Sequence, residues 1–401
     1  MKRVVSTILL VILLTSMLYL AFKIMPAEAA GTIYIRADGS IDPPTAPISR
    51  DGDTYTFTGN VSNGAIVVER DNVVVDGASY TLQGTGSGTG IVISGRSNVT
   101  IRSVTIKAFH YAIWLESSSN SSISGNTITN NEDGIMLYPS SNYNRISGNT
   151  ITNNRYYGIW LYSFSNYNRI SGNTITNNWY GLGLDTFSSY NSVSGNNMTG
   201  SNGYGIVLYE YSSYNSVSGN NIANNLYGIS LGNSSSYNGI SENNITENNE
   251  SGILLSSSSD SSIFHNNFMD NTRQVYDVSW DYPEIPSSIN IWDDGYPSGG
   301  NYWSDYTGVD GDGDGIGDTP HILDAQNVDN YPLMQPFTKI QIPGDINNDG
   351  TVDIFDCVVV ALAFGSKPGD PNWNPVADIN NDGIVDIFDI VVVALHFGEA
   401  G

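Results

Sequence analysis

The sequence predicts an all-β fold, a right-handed parallel β-helix, followed by a small α-helical module. Three observations predict the β-helix. Ser-Gly-Asn recurs at Ser124-Gly125-Asn126, Ser147-Gly148-Asn149, Ser171-Gly172-Asn173, Ser194-Gly195-Asn196 and Ser218-Gly219-Asn220, and degenerates to Ser241-Glu242-Asn243 and Phe264-His265-Asn266. The middle positions lie 23, 24, 23, 24, 23 and 23 residues apart. A second landmark keeps step at Gly134, Gly158, Gly181, Gly205, Gly228 and Gly252, most followed by Ile-x-Leu. Third, β-branched residues, Gly, Asn and Ser dominate, helix formers are scarce, and apolar residues alternate with polar ones. A fixed period in this range marks a solenoid, and short alternating runs between turn residues mark strands. Each repeat is then one coil of two or three strands, stacked about 4.8 Å from the next, with the right-handed crossover usual for parallel strands.

Taken in order, Met1-Lys2-Arg3, the apolar run of residues 4–22 and Ala27-Glu28-Ala29 read as a secretory signal peptide over residues 1–29. An uncleaved N-terminal membrane anchor is the alternative; in both cases the remainder lies outside the cell, secreted or at the cell surface. The coils occupy residues 30–272. The repeat is less regular before Leu115, and residues 32–58 are expected to cap the open end, because terminal repeats are atypical. Gly-rich residues 81–90 read as a turn or loop. Stacking the repeats makes apolar ladders that fill the bore, among them Ile123, Ile146, Ile170, Val193, Val217, Ile240 and Ile263. It also makes an asparagine ladder from Asn126 to Asn266, whose amides bond along the axis.

Composition bounds the partners. The chain has 401 residues, 15 basic against 40 acidic, and a formal charge of −25. A nucleic-acid surface is excluded, since phosphate contacts need Lys and Arg. One cysteine allows no internal disulfide. Seven Asn-x-Ser/Thr sites are compatible with a glycosylated exterior. A monomer is expected.

Where Ile and Leu of Gly-Ile-x-Leu face inward, the residues between them face outward. One outward column is Trp114, Met136, Trp160, Gly183, Val207, Ser230 and Leu254. The next is Glu116, Tyr138, Tyr162, Asp185, Tyr209, Gly232 and Ser256. Tyr157, Tyr180, Tyr204 and Tyr227 precede the glycines, and Tyr143, Tyr167, Tyr190, Tyr214 and Tyr237 form another ladder. Sugar rings pack their apolar faces on aromatic rings, and their hydroxyls need amide and hydroxyl partners. The candidate carbohydrate-binding residues are therefore Trp114, Tyr138, Trp160, Tyr162, Asp185 and Tyr209. Tyrosines that merely tie adjacent coils together are the competing reading.

No catalytic residue is assigned. Glu116 and Asp185 share a column but lie three coils apart, about 14 Å, too far to act as a pair. Asp185 and Glu210 fall on successive positions of neighbouring repeats, which places them on opposite sides unless a turn intervenes. These acids, with Asp133, Glu242, Glu247 and Asp260, read as solvated surface charge. His110, His265, His321 and His396 show no ligand spacing.

The repeats stop near Asn271, and residues 273–341 form a cap rich in Trp, Pro and Gly. The run Asn290-Ile291-Trp292-Asp293-Asp294-Gly295-Tyr296-Pro297-Ser298-Gly299-Gly300-Asn301-Tyr302-Trp303-Ser304-Asp305-Tyr306 is very similar to the closing segment of NosD-like proteins. Asp329-Asn330-Tyr331-Pro332-Leu333-Met334 continues the match. This resemblance, over residues 32–337, implies a β-helix of the carbohydrate-binding and sugar-hydrolase type. The family is named for an accessory protein of copper delivery, but the helix offers no His-x-His, Met cluster or Cys, and copper prefers such ligands. Asp310, Asp312, Asp314 and Asp318 take positions 1, 3, 5 and 9 of a Ca²⁺ loop, with Ile316 supplying a carbonyl. Position 12 is His321, so that loop is incomplete.

Residues 342–401 carry the strongest motif. Asp345, Asn347, Asp349, Thr351, Asp353 and Asp356 occupy positions 1, 3, 5, 7, 9 and 12 of a Ca²⁺ loop. After 33 residues Asp378, Asn380, Asp382, Ile384, Asp386 and Asp389 repeat them, each with Gly at position 6. An apolar helical run follows each loop. The pair resembles a dockerin domain, which implies a cohesin-like scaffold partner. The resemblance places partner contacts at positions 10 and 11, here Ile354-Phe355 and Ile387-Phe388, in two near-equivalent orientations. Cys357 matches Ile390 and is read as a core residue.

The expected function is a secreted or cell-surface β-helix that binds polysaccharide or glycan and attaches through a Ca²⁺-dependent dockerin-like tail. Rival readings are a β-helix glycoside hydrolase or polysaccharide lyase and a copper-handling accessory protein. Acids converging within about 10 Å on one outward face favour the hydrolase or lyase.

Overall fold

The computed structural model describes residues 31–338, 343–347, 351–368, 370, 372–380 and 382–399. The expected signal peptide or anchor, residues 1–29, and the loop residue Asp349 lie outside the described residues. The chain divides into two compact units between Phe337 and Thr338.

The first unit is a β-solenoid of about 10 turns. Every regular coil contributes one strand to each of three long sheets, as Tyr157–Tyr162, Arg169–Ser171 and Thr174–Thr176 do. Among the described residues the sheets hold 12, 11 and 11 strands, coil after coil in parallel. The register is the one the repeat implies: Trp114 pairs with Met136, Met136 with Trp160, Trp160 with Gly183, and Tyr162 with Asp185. Ile123, Ile146, Ile170, Val193, Val217, Ile240 and Ile263 are all fully buried, so the bore is a continuous aliphatic core. Burying one such side chain contributes about 1.5–3 kcal/mol.

The glycine landmark has a steric cause. A Cβ at Gly158 would stand 2.6 Å from the carbonyl oxygen of Gly181 in the next coil, and one at Gly205 would stand 2.7 Å from that of Gly228. Only glycine lets the first-sheet strands approach this closely at their entry.

At each corner the chain turns out of a sheet, and its N–H and C=O groups lose their ladder partners. The predicted asparagine ladder takes their place. Asn173 Oδ1 accepts from both the backbone N and Nδ2 of Asn149, and its own Nδ2 donates to Ile146 O and to Asn196 Oδ1. Three further buried ladders escaped the sequence reading, one of them through Asn131, Asn154, Asn178, Asn225, Asn248 and Asn271. Asn144, Asn168, Asn191, Asn215 and Asn238 form another. The hydroxyls of Ser141, Ser165, Ser188, Ser212, Ser235 and Ser258 each accept a backbone N–H from the coil before.

Both ends differ from expectation. At the N-terminal end, Gly31–Ile35 and Thr54–Phe57 already pair in parallel with the next coil. Only Ile41–Asp42 and Ile48–Asp51, added antiparallel, close the sheets, so the cap is shorter than residues 32–58. Within residues 81–90, Thr81–Gln83 is a strand of the third sheet rather than loop. At the C-terminal end the repeats fade from the sequence near Asn271, but the ladders continue. Asn266 bonds to Asn301, Ser258 to Ser288 and Asn290 to Asn327, through insertions that carry the same side chains. Trp292 and Trp303 then cover the last aliphatic rung; both are 1% exposed.

The second unit holds two helices, Ile354–Ala363 and Ile387–Leu395, each opening on a capping box, Asp353 with Asp356 and Asp386 with Asp389. Its core comprises Ile346, Val352, Val360, Ala363, Ala377, Val385 and Val393, with Cys357 and Ile390 packed against it in equivalent roles. Among the described residues no helix is long and apolar enough to cross a membrane.

Replacing Asn173 by Ala removes two acceptors and two donors from a dry corner. Each stranded group costs about 1–3 kcal/mol, so Asn173→Ala is expected to lower stability by about 3 kcal/mol or more. Thr174→Ala, on the exposed side of the same coil, is expected to stay within about 0.5 kcal/mol. Urea unfolding midpoints of the two variants check the contrast.

Candidate functional site

The outer face of the first sheet carries two columns of aromatic rings. Trp114, Tyr138 and Tyr162 stack with centroids 4.5 and 5.1 Å apart. Beside them Tyr157, Tyr180, Tyr204 and Tyr227 stack at 4.6, 5.5 and 5.1 Å. Trp160 joins the columns, 4.7 Å from Tyr157 and 5.0 Å from Tyr162. The structure thus brings Trp114, Tyr138, Trp160, Tyr162 and Asp185 onto one face. Tyr209 lies just beyond its strand, at a corner, and is 44% exposed. Stacked rings spend their faces on each other, so within a column only edges and hydroxyls face outward. Free ring faces occur where a column ends.

The Tyr138–Tyr162 column ends at Asp185, its next register partner. There the separation of Asp185 and Glu210 expected from sequence does not hold. The strand stops at Leu208, and Glu210 and Tyr211 adopt left-handed φ of 47° and 62°, so a turn swings Glu210 back over the coil. Thr186 Oγ1 lies 3.1 Å from Asp185 Oδ1 and 2.9 Å from Glu210 Oε2. The two carboxyl groups therefore approach within about 6 Å of each other. A hydroxyl has one proton and donates to one carboxylate at a time. The second contact becomes a hydrogen bond only when that carboxyl is protonated and donates to the hydroxyl. Burial, with Glu210 adding to it, pushes the Asp185 pKa up, so the fold favours the neutral form of that acid. The buried Trp160 Nε1–H stands close enough to favour the charged form of Asp185, yet has no partner of full hydrogen-bonding geometry.

Asp133, expected at the solvated surface, is 7% exposed and accepts the backbone N–H of Tyr157 at 2.9 Å. Burial raises its pKa, and burial also raises those of Tyr157 and Tyr204. A third aromatic column, Phe164, Phe187 and Tyr211, escaped the sequence reading because it lies in the corner rather than on a strand. It neighbours the expected Tyr143, Tyr167, Tyr190, Tyr214 and Tyr237 ladder, whose rings stack at 5.1–5.3 Å.

In the cap, Asp310, Asp312 and Asp314 bring one carboxylate oxygen each to within 4.8 Å of one another. It is the one such group of three or more His, Cys, Asp or Glu among the described residues. Asp310 accepts from the N–H groups of Gly313, Asp314 and Gly315, the wrap a cation loop uses. Asp318 accepts from Gly311, and Ile316 is largely buried. His321, at position 12, stacks on Trp303 at 4.7 Å and belongs to the lid. The other histidines stand apart. His110 pairs with Glu132, His265 stacks on Phe337, and His396 pairs with Glu399.

The two loops of the second unit share one hydrogen-bond pattern. Asp356 Oδ1 accepts from Ile346 and Asn347, and Asp389 Oδ1 accepts from Ile379 and Asn380. Asp378 holds the N–H groups of Asp382 and Gly383. Asp353 and Asp386 cap their helices through Oδ1, leaving position 9 to reach a cation by its other oxygen or through water. The all-oxygen donors Asp345, Asn347, Asp356, Asp378, Asn380, Asp382 and Asp389, with the carbonyls of Thr351 and Ile384, fit a hard cation such as Ca²⁺. Ile354 and Phe355 are 58% and 63% exposed, and Ile387 and Phe388 are 55% and 63% exposed. Both pairs stand at the surface, outside the core of the unit.

Residues 184–308 match the family model for the periplasmic copper-binding protein NosD, residues 52–198 that for a right-handed β-helix region, and residues 343–397 that for a dockerin type I domain. Among solved structures, the periplasmic alginate epimerase AlgG is 16% identical over 61% of this chain and 70% of its own, with a TM-score of 0.42. The A-module of the Azotobacter vinelandii mannuronan C-5 epimerase AlgE6 is 13% identical over 65% and 87%, with a TM-score of 0.43. The DFA-IIIase from Arthrobacter chlorophenolicus A6, without its lid, is 15% identical over 60% and 64%, with a TM-score of 0.43. No curated protein matches the chain.

The folded pKa of Asp185 lies above its free value, so folding favours the protonated acid. That contribution is complete below about pH 4 and is lost as pH rises through the folded value. Asp185→Asn keeps a neutral donor at every pH. Its melting temperature is expected to exceed that of the parent at pH 7, with the difference vanishing toward about pH 4. A melting series across this range checks it.

Proposed function

We propose that this protein binds a polysaccharide or glycan on the outer face of the first sheet and is held to a cohesin-like scaffold protein by its C-terminal unit, with Ca²⁺ organising that unit's loops. One observation carries the glycan reading: the ring columns end against carboxyl and hydroxyl groups on the same face, so a free aromatic surface and polar partners meet. A sugar needs both. Trp160, Tyr162, Asp185 and Tyr209 are the central contacts; Trp114 and Tyr138 extend them along the axis. The dockerin match and the duplicated, exposed Ile-Phe pairs support the scaffold reading. The N-terminal apolar run and the match to a periplasmic family favour a place outside the cytoplasm.

A second reading has its own observation. Asp185 and Glu210, joined through Thr186, stand within about 6 Å of each other, close enough for the roughly 5–5.5 Å of a retaining glycosidase pair, with Asp185 as acid and Glu210 as nucleophile. The copper-handling reading has no such support, because the histidines are dispersed among the described residues.

On a glycan array, the full chain is expected to retain oligosaccharides that Tyr162→Ala/Tyr209→Ala binds at least tenfold more weakly. Unchanged retention by that variant removes the reading. Reducing ends measured alongside decide the second one: release that disappears in Glu210→Gln establishes hydrolysis, and no release from any retained glycan leaves binding alone.

For the tail, chelation should abolish cohesin capture and lower the melting transition of the second unit, since the clustered acids then repel one another. Phe355→Ala and Phe388→Ala should each bind nearly as the parent does, while the double variant loses capture. Chelation without effect on either readout would refute the Ca²⁺ assignment.

A further inference from the structure

The tyrosine column Tyr157–Tyr180–Tyr204–Tyr227 ends abruptly. The next register partner of Tyr227 is Ser251, so one face of Tyr227 has no ring against it in the following coil. At this point the surface opens into a cleft of about 220 Å³ lined by Tyr227, Glu250, Ser251, Arg273, Tyr276 and Asp281. That volume suits one sugar unit rather than a length of chain. Three features equip it. Ser251 is 1% exposed, yet its hydroxyl has no hydrogen-bond partner. A buried hydroxyl without a partner costs free energy unless a ligand supplies one. The Arg273 guanidinium lies 4.6 Å from the centroid of the Tyr276 ring, and no ion pair joins it to a carboxylate of the described residues. Tyr276 is held in turn by a 2.9 Å bond to Asp281. In a chain of net charge −25, an arginine left without a carboxylate, oriented on a ring and facing a cleft, is poised for a planar anion. Guanidinium matches a carboxylate with two parallel N–H···O bonds.

We infer that this cleft is an end subsite for a uronic-acid unit of the glycan: the sugar ring lies on Tyr227, its carboxylate meets Arg273, and its hydroxyls meet Ser251, Glu250 and Asp281. The inference rests on the glycan reading above and names the sugar class. The acidic neighbours set a limit on charge. Glu250 and Asp281 repel a second anionic group, so one carboxylate on one terminal unit is accommodated and a densely sulfated sugar is not.

The test titrates the full chain with tetrasaccharides ending in glucuronate, galacturonate, mannuronate or guluronate, with the carboxyl-reduced counterpart of each, and with a sulfated neutral tetrasaccharide. At least one uronate should bind tenfold or more above its reduced counterpart. Arg273→Gln should erase that advantage, bringing each uronate's affinity to that of its reduced counterpart; Arg273 is exposed, so the variant keeps the fold. Tyr227→Leu, a second variant, should weaken both forms. Equal affinity for every uronate and its reduced partner, a stronger response to the sulfated sugar, or a uronate preference that survives Arg273→Gln would each overturn the subsite. If none of the sugars binds at all, the broader glycan reading falls with it; if reduced sugars bind and only the uronate preference is absent, the subsite alone falls.

Discussion

The interaction on which this structure depends is the buried asparagine-to-asparagine hydrogen bond at the coil corners. Aliphatic rungs supply the drive to bury surface, but they would suit any stack of strands. A chain that turns three times per coil turns its backbone polar groups toward an apolar bore. Asn149, Asn173, Asn196 and their equivalents meet that demand by bonding both forward and back along the axis. Because each amide serves two coils, the register of one coil fixes the next. The outward columns are aligned for that reason: Tyr157, Tyr180 and Tyr204 stack because the corners beneath them cannot slip.

The same constraint explains how the solenoid stops. The cap is the ladders continued by other means. Asn301, Ser288, Asn290 and Asn327 occupy ladder positions but lie 29 to 37 residues from their partners, where a repeat would have delivered them after 23. Asp329, buried behind them, accepts from Asn301, Trp303 and Tyr331, and burial pushes its pKa up to about 6. The lid is polar where the corners need partners and aromatic where the bore needs covering.

Much of this was legible in the sequence, and the reasons it was or was not are physical. A 23-to-24-residue period fixes which residues share a column, so Trp114, Met136 and Trp160 align in register as expected, although Met136 is covered by its neighbours and 1% exposed. Oxygen ligands at fixed loop positions made both calcium motifs readable. What stayed hidden sits at corners and ends. Asn144 and Ser141 look like two more polar residues in a polar background, and nothing in their neighbours distinguishes a buried amide from a solvated one. Glu210 reaches Asp185 only because residues 210 and 211 take left-handed φ, which strand alternation does not foresee. The Tyr227 cleft draws Glu250 from one coil and Arg273 and Asp281 from beyond the last regular one, so no period connects them.

The strand carrying Asp185 and the strand carrying Ser251 are three steps apart in the first sheet, about 14 Å at the usual strand spacing. Coil number thereby acts as a ruler between the paired acids and the arginine cleft. Inserting or deleting one whole repeat between them would lengthen or shorten the gap by about 4.8 Å while leaving each end chemically intact. On the glycan reading proposed above, the repeats set the distance between two contact points in discrete increments, and a lineage could adjust that span by duplication alone.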